Sequence, residues 1–183
     1  MTESIATNKI WIALFSQSGS ELEAVSSRLG KTPDRVFTNN KNYDLSSTPF
    51  PACVYMKSTD IFDRLRYMLI RPDHVIITLH GFLRILPPDI CEMFEIYNGH
   101  PGDIITYPEL RGKDPQQKAL DLKHKTARAV IHRVTPTVDD GHIVATTPLI
   151  PISDTLQDVN VLINLLKADS VLAWEKLLKE KLS

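Results

Sequence analysis

The stretch "HVIITLHGF", His74–Phe82, decides the fold. Val75 to Leu79 form a continuous apolar run rich in β-branched residues, with no polar alternation. Such a run suits a strand buried on both faces, as in a parallel sheet covered by helices. Two further runs have the same character: "IWIALFS" (10–16) and "EIYNG" (95–99). "RVFTNN" and "ACVYM" are shorter strand candidates around a proline-rich loop.

Helical patterns fill the gaps. "QSGSELEAVSSRLG" reads as a loop entering a helix, with Leu22, Val25 and Leu29 on one face and Gly30 at its end. Ser20 and Glu23 have the spacing of a capping box. Thr59 or Asp60 opens a helix carrying Ile61, Leu65 and Leu69, which must stop before Pro72. "PPDICEMF" is a short helix with proline in its first turn, where the missing N–H costs nothing. A helix around Asp114 to Lys123 follows, then two strands, "RAVIHRVT" and "HIVATTPLI", bracketing the turn "PTVDDG". From Asp154 to Leu182 the chain reads as helical, with a break in phase near Lys167 that predicts a bent helix or two helices. Strands alternating with helices predict an α/β domain: a mostly parallel sheet, helices on both faces and a C-terminal helical segment. No repeat or linker divides the 183 residues, so 1–183 is expected to be one domain, with 1–9 a flexible tail.

Composition bounds the function. Hydrophobic residues make up 43% and the net charge is −1, which gives no basis for a nucleic-acid or acidic-membrane partner. Lys123-His124-Lys125 is too short a basic cluster to change that. Cys53 and Cys91 lie far apart in apolar contexts, matching neither a zinc spacing nor a disulfide framework, and read as buried structural thiols. The N-terminus has no apolar signal core and no run approaches membrane-spanning length, so the cytoplasm is the expected compartment. No histidine or carboxylate pair has ligand spacing, so no metal is expected.

In a parallel sheet the ligand crevice lies beyond the carboxyl ends of the strands. Ser16–Ser20, His80–Arg84 and Asn98–His100 should therefore converge. "SQSGSE" has one glycine and is neither a dinucleotide fingerprint nor a Walker loop, although its backbone N–H groups could receive an anion. In "EIYNGHPGDI" (95–104), Asn98 and His100 share one face of a strand, roughly 7 Å apart. Two readings fit: a polar turn, Asn-Gly being a common turn dipeptide, or an amide donor and an imidazole flanking a reacting carbonyl. An acidic residue nearby would raise the imidazole's pKa toward a cationic form near neutrality. Spacing alone does not bring Asp139 or Asp140 there; from first principles Asp-Asp-Gly is a turn.

"HGFLRILPPDI", "NGHPGDI", "YPEL" and "HRVTPTVDDGHIV", in this order, resemble the formyltransferases that use 10-formyltetrahydrofolate, the glycinamide ribonucleotide and methionyl-tRNA enzymes among them. "FSQSGSELEAV" is similar to that family's first strand-loop-helix. The similarity covers roughly Ile10 to Ile150 and implies a Rossmann-like formyltransferase fold. It implies transfer of a formyl group from 10-formyltetrahydrofolate to a primary amine of a small-molecule acceptor, through a tetrahedral intermediate. Asn98 and His100 would stabilise the oxyanion, and Asp139, with Asp140 as the one-residue slip, would hold His100. The folate pteridine would sit beside Arg84, Ile85 and Leu86, bonded largely through backbone, and against Val138 to Asp140. Asp140 falls where the family often has glycine, so a turn conformation is expected of it. Gly19, Ser20, Glu21 and Tyr107 would face the acceptor.

The chain departs from the glycinamide pattern. Glu21 stands where those enzymes carry an asparagine in a loop that holds the substrate phosphate, and a carboxylate there opposes a phosphate. Lys167 stands where they place an acidic acceptor-binding residue. The expected acceptor is therefore a small primary amine other than glycinamide ribonucleotide. Hydrolysis of the same folate (a deformylase) and a non-catalytic folate- or metabolite-binding domain are the alternatives.

Overall fold

The computed structural model describes residues 9–153, 156 and 158–183. The flexible tail expected over 1–9 therefore lies outside the described residues except for Lys9, whose ammonium donates to Glu95 at 2.6 Å. Residues 154, 155 and 157, expected to begin the last helix, also lie outside them.

The elements run β1 (Ile10–Phe15), α1 (Ser20–Leu29), β2 (Arg35–Thr38), β3 (Cys53–Tyr55), α2 (Ser58–Arg66), β4 (Val75–Leu79), α3 (Pro88–Met93) and β5 (Glu95–His100). They continue with α4 (Pro115–Asp121), β6 (Thr126–Ala127), β7 (Val130–Arg133), β8 (Ile143–Thr146), β9 (Ile150–Pro151) and α5 (Val159–Lys181). Seven strands form one sheet in the order β3-β2-β1-β4-β5-β7-β8, and β6 pairs with β9 apart from it. The first five are parallel; β7 runs antiparallel to β5 and β8 antiparallel to β7. The α/β class with a mostly parallel sheet is thus the observed one. The chain order reverses between β1 and β4, the switch point at which open α/β sheets leave a crevice.

The two-residue side-chain period of the central strands builds two cores. Trp11, Ala13, Phe15, Ile76 and Tyr97 face α1 and α5, packing on Leu22, Val25, Trp174 and Leu178. Ile12, Leu14, Ile77, Leu79 and Ile96 face α2 and α3, packing on Ile61, Leu65 and Ile90. Both faces are covered, which is why these strands read as unbroken apolar runs.

Several local expectations change or narrow. The capping box does not form: Gly19 caps α1 in the left-handed region at φ 71, with no side-chain cap bond. A Cβ there would lie 3.2 Å from the Phe15 ring, so both conformation and space call for glycine. Helix α2 stops at Arg66, leaving Leu69 fully exposed. The C-terminal segment is one helix of 23 residues, opened by Asp158 accepting from the Asn160 N–H. The break in apolar phase marks its outer face, where Val161, Leu165 and Leu172 are exposed. Cys91 is buried and Cys53 only half-buried, both as free thiols.

Candidate active site

Two polar clusters stand at the carboxyl ends of the central strands, one on each side of the sheet. Gly99 fixes the sides: a Cβ on it would come within 3.0 Å of Trp174 Nε1 on α5. Its neighbours Asn98 and His100 must therefore point to the opposite face.

The first cluster gathers around Asp139. Pairing of β5 with β7 sets Asn98 opposite His132, and the turn after β7 folds Asp139 back over them. Asp139 Oδ2 lies 3.2 Å from His100 Nδ1, and Oδ1 lies 3.2 Å from His132 Nε2. Asn98 Nδ2 reaches Asp139 Oδ1 at 3.4 Å and His132 Nε2 at 3.2 Å. The Gly112 N–H donates to Asp139 Oδ2 at 2.8 Å, and Arg111 Nε donates to the Asp139 carbonyl at 3.1 Å. Burial works to raise the Asp139 carboxyl; the His132 hydrogen bond, the His100 charge and the Gly112 N–H outweigh it and hold it below the usual range.

His100 is 4% exposed, and its Nε2 lies 2.9 Å from the Leu110 carbonyl. A carbonyl only accepts, so Nε2 carries the ring hydrogen and the basic nitrogen is Nδ1, facing Asp139. The sequence predicted that the carboxylate would move this imidazole toward its cation. The reverse is found: burial lowers the His100 pKa by more than the Asp139 charge raises it. Desolvation wins because the ring sits beneath the 101–112 segment, away from water.

Asp140 does not take the expected turn conformation. The left-handed residue is Asp139 itself, at φ 51, a region that Asp tolerates better than most. Asp140 is exposed and pairs with Arg111 Nη2 at 3.2 Å. Arg84 and Ile85 are exposed, Ile85 at 71%, and Val138 is 46% exposed. Leu86 is buried in the core and not exposed beside Arg84 and Ile85.

The second cluster lines a cavity of about 240 Å³ at the switch point, on the α1 and α5 side. Gly19, Ser20 and Glu21 line it, as do His80, Gly99, Pro101, Lys167 and Ser170. The strand ends predicted to converge do so: the Ser16 N–H donates to the Gly81 carbonyl, and Ser16 Oγ accepts from the Leu83 N–H. Glu21 Oε2 lies 3.0 Å from His80 Nδ1, and Oε1 accepts from Ser170 Oγ at 2.8 Å. Burial works to raise Glu21, but its interactions with His80, then the Ser170 hydrogen bond and the nearby Lys167 charge, lower it overall. Lys167 Nζ donates to Ser20 Oγ at 2.6 Å. Tyr107 does not line the cavity. Its ring stacks on His124, centroids 3.8 Å apart, and packs against the Ile104–Leu110–Ala119 cluster.

Sequence reasoning named His80 only as the start of a converging strand end, and passed over His132 and Ser170. His132 lies inside the quoted "HRVT" run, but only the β5–β7 register sets it beside Asn98, and that register has no local signal. Ser170 sits one turn from Lys167 on a helix read for its apolar face.

Among the described residues no helix is long and apolar enough to cross a membrane. No family model and no curated protein sequence matches the chain. Solved structures do. The phosphoribosylglycinamide formyltransferase of Anaplasma phagocytophilum is 23% identical, with a TM-score of 0.75 over 93% of this chain and 86% of that one. Glycinamide ribonucleotide transformylase 1 of Symbiobacterium toebii is 20% identical, with a TM-score of 0.77 over 96% and 89%. The phosphoribosylglycinamide formyltransferase of Brucella melitensis is 21% identical, with a TM-score of 0.72 over 94% and 95%. Over nearly its whole length, and at low identity, the chain has the fold of the phosphoribosylglycinamide formyltransferases.

Proposed function

We propose that this chain transfers a formyl group from 10-formyltetrahydrofolate to the primary amine of a small acceptor. One observation carries the reading: Asn98, His100 and Asp139 meet within 3.4 Å at the strand ends, with Gly99 and Pro101 of the same segment lining a cavity.

The residues present fit such a donor. Ile85 and Val138 offer exposed apolar surface for an aromatic ring, and the irregular backbone of 83–86 offers hydrogen-bonding groups outside the sheet ladder. Arg84, Ile85, the Leu86 backbone and the turn at Val138–Asp140 would hold it. When bound, the donor supplies an electrophilic formyl carbon. On giving up its 3.4 Å contact to Asp139, Asn98 presents an amide N–H to an oxygen that gains negative charge, an effect worth about 10²–10³ in rate for one such donor. His100 takes a proton from the attacking amine at Nδ1, where the Asp139 carboxylate stabilises the imidazolium. A positioned proton acceptor adds about 10²–10⁴. Asn98 Nδ2 is held 3.2 Å from His132 Nε2, and the His132 ring is oriented by its Nδ1–H donating to the Arg133 carbonyl.

Incubation with 10-formyltetrahydrofolate alone, then with a panel of small amines, tests this. Turnover only with amine supports transfer. Turnover in water alone would mean a hydrolase, and saturable binding with no turnover a binding domain; either overturns the proposal.

A further inference from the structure

We infer that Glu21 sets the specificity of the cavity: its ligand presents an ammonium or amine group to this carboxylate, and a phosphate-bearing ligand is rejected. The inference rests on the reading of the cavity as the acceptor site.

Trp11 Nε1 can only donate, and it donates to Thr78 Oγ1 at 2.8 Å. The Thr78 hydroxyl then has one hydrogen to give, and His80 Nε2 lies 3.0 Å away to accept it. With Nε2 accepting, the His80 ring hydrogen sits on Nδ1 and is donated to Glu21 Oε2. Ser170 Oγ–H is donated to the other oxygen. Trp11 and Thr78 are fully buried and His80 is 3% exposed, so the fold and not solvent sets this chain. Both donors to Glu21 are neutral groups, so they orient the carboxylate without cancelling its charge.

Among the described residues His80 is the sole basic side chain within 4.0 Å of the Glu21 oxygens. The Lys167 ammonium is held on Ser20 Oγ, close enough to offset the cavity's charge but not to cover the carboxylate. Each Glu21 oxygen accepts one of these bonds, which leaves acceptor capacity for a ligand in the cavity that Glu21 lines. An ammonium there makes charge-assisted hydrogen bonds, the stronger kind. A phosphate there meets like charge, and the balanced Glu21–Lys167 pair gives it no net attraction. The lining also includes Gln17, Ser18, Ser20 and Gln116 beside Ile163 and Leu166, which suits a small amine with polar and apolar parts.

Calorimetric titration of the full chain with 1,4-diaminobutane and with O-phosphoethanolamine tests this without any donor present. The wild-type chain should bind the diamine and not the phosphate ester at equal concentration. Glu21→Gln, its fold checked by thermal melting, should weaken diamine binding at least about tenfold. Equal or tighter binding of O-phosphoethanolamine, no diamine binding by the wild-type chain, or unchanged diamine binding by a folded Glu21→Gln would each overturn the inference. The wild-type comparison stands even if the variant does not fold. A bound diamine that is never formylated would refute the transfer reading while leaving this one intact. Formylation of a phosphate-bearing amine, with no binding of the diamine, would do the opposite.

Discussion

His80 and His100 each end a central strand against a carboxylate, 3.0 and 3.2 Å away, on opposite faces of the same sheet edge. Both rings are buried, yet the two pairs are wired differently. His80 has both nitrogens satisfied as a neutral ring, one by Thr78 and one by Glu21, so it offers nothing to a reacting group. Its work is to aim a fixed negative charge into the cavity. His100 gives its one hydrogen to the Leu110 carbonyl and keeps a basic Nδ1 beside Asp139, a place where a proton can arrive and find a counter-charge. An imidazole–carboxylate contact therefore does not by itself mark a proton acceptor. The partner of the second nitrogen does.

The largest effect should separate the two sides in kinetics. His100→Ala is expected to lower kcat by about 10²–10⁴. Glu21→Gln should raise KM for the amine and leave kcat at saturation nearly unchanged, the pattern of a lost uniform binding interaction. Steady-state kinetics with a competent amine checks both. A near-wild-type kcat for His100→Ala, or a kcat collapse for Glu21→Gln with normal KM, would exchange the assigned roles.

A pH profile sharpens the same contrast. His100 titrates below its ordinary 6.5, so the acid limb of kcat/KM should fall below pH 6.5. Asp139→Asn removes the charge that opposes desolvation, and the limb should move lower still while turnover drops. The stability sign follows from proton counting. Below pH 6.5 the unfolded chain binds a proton at this histidine that the native chain refuses, so stability is lost as pH falls from 6.5 toward the lowered folded value. Denaturant melts between pH 7 and 5 of wild type and His100→Gln should differ in slope, the wild type falling more steeply. Parallel slopes would mean that His100 is not the group desolvated.

The fold was legible because its signals are local. Val75–Leu79 and Ile10–Phe15 are apolar throughout since helices cover both faces, and a covered parallel strand leaves no other pattern. Asn98, His100 and the Asp139 turn were legible as a motif in fixed order, although no spacing rule places a carboxylate 39 residues away against a given imidazole. The Glu21 cluster was not legible. It joins β1, α1, β4 and α5 through Trp11, Thr78, Glu21 and Ser170, residues that look ordinary in their own segments and meet only when the sheet order reverses. The direction of the His100 shift was also out of reach, because it depends on how completely the 101–112 segment excludes water. Ser20 misled for a related reason: it has the capping spacing, but Lys167, distant in sequence, engages its hydroxyl, and Gly19 makes the helix start without it.

The smallest expected effects test the Asp139–Asp140 turn, where the two neighbours should differ in opposite ways. Asp139 sits at φ 51, so Asp139→Ala adds a left-handed backbone cost of about 1–2 kcal/mol to the loss of its hydrogen bonds. Asn tolerates that region, so Asp139→Asn should melt above Asp139→Ala while sharing its loss of turnover. Asp140 has no positive φ to relieve, so Asp140→Gly gains nothing from backbone strain. It loses one exposed pair with Arg111, worth about 0–1 kcal/mol, and its kcat should stay near wild type. Thermal melts and turnover of the three variants set the order. If Asp140→Gly lost activity while Asp139→Asn kept it, the carboxylate serving His100 would be Asp140, and the turn would have to rotate by one residue in the working state.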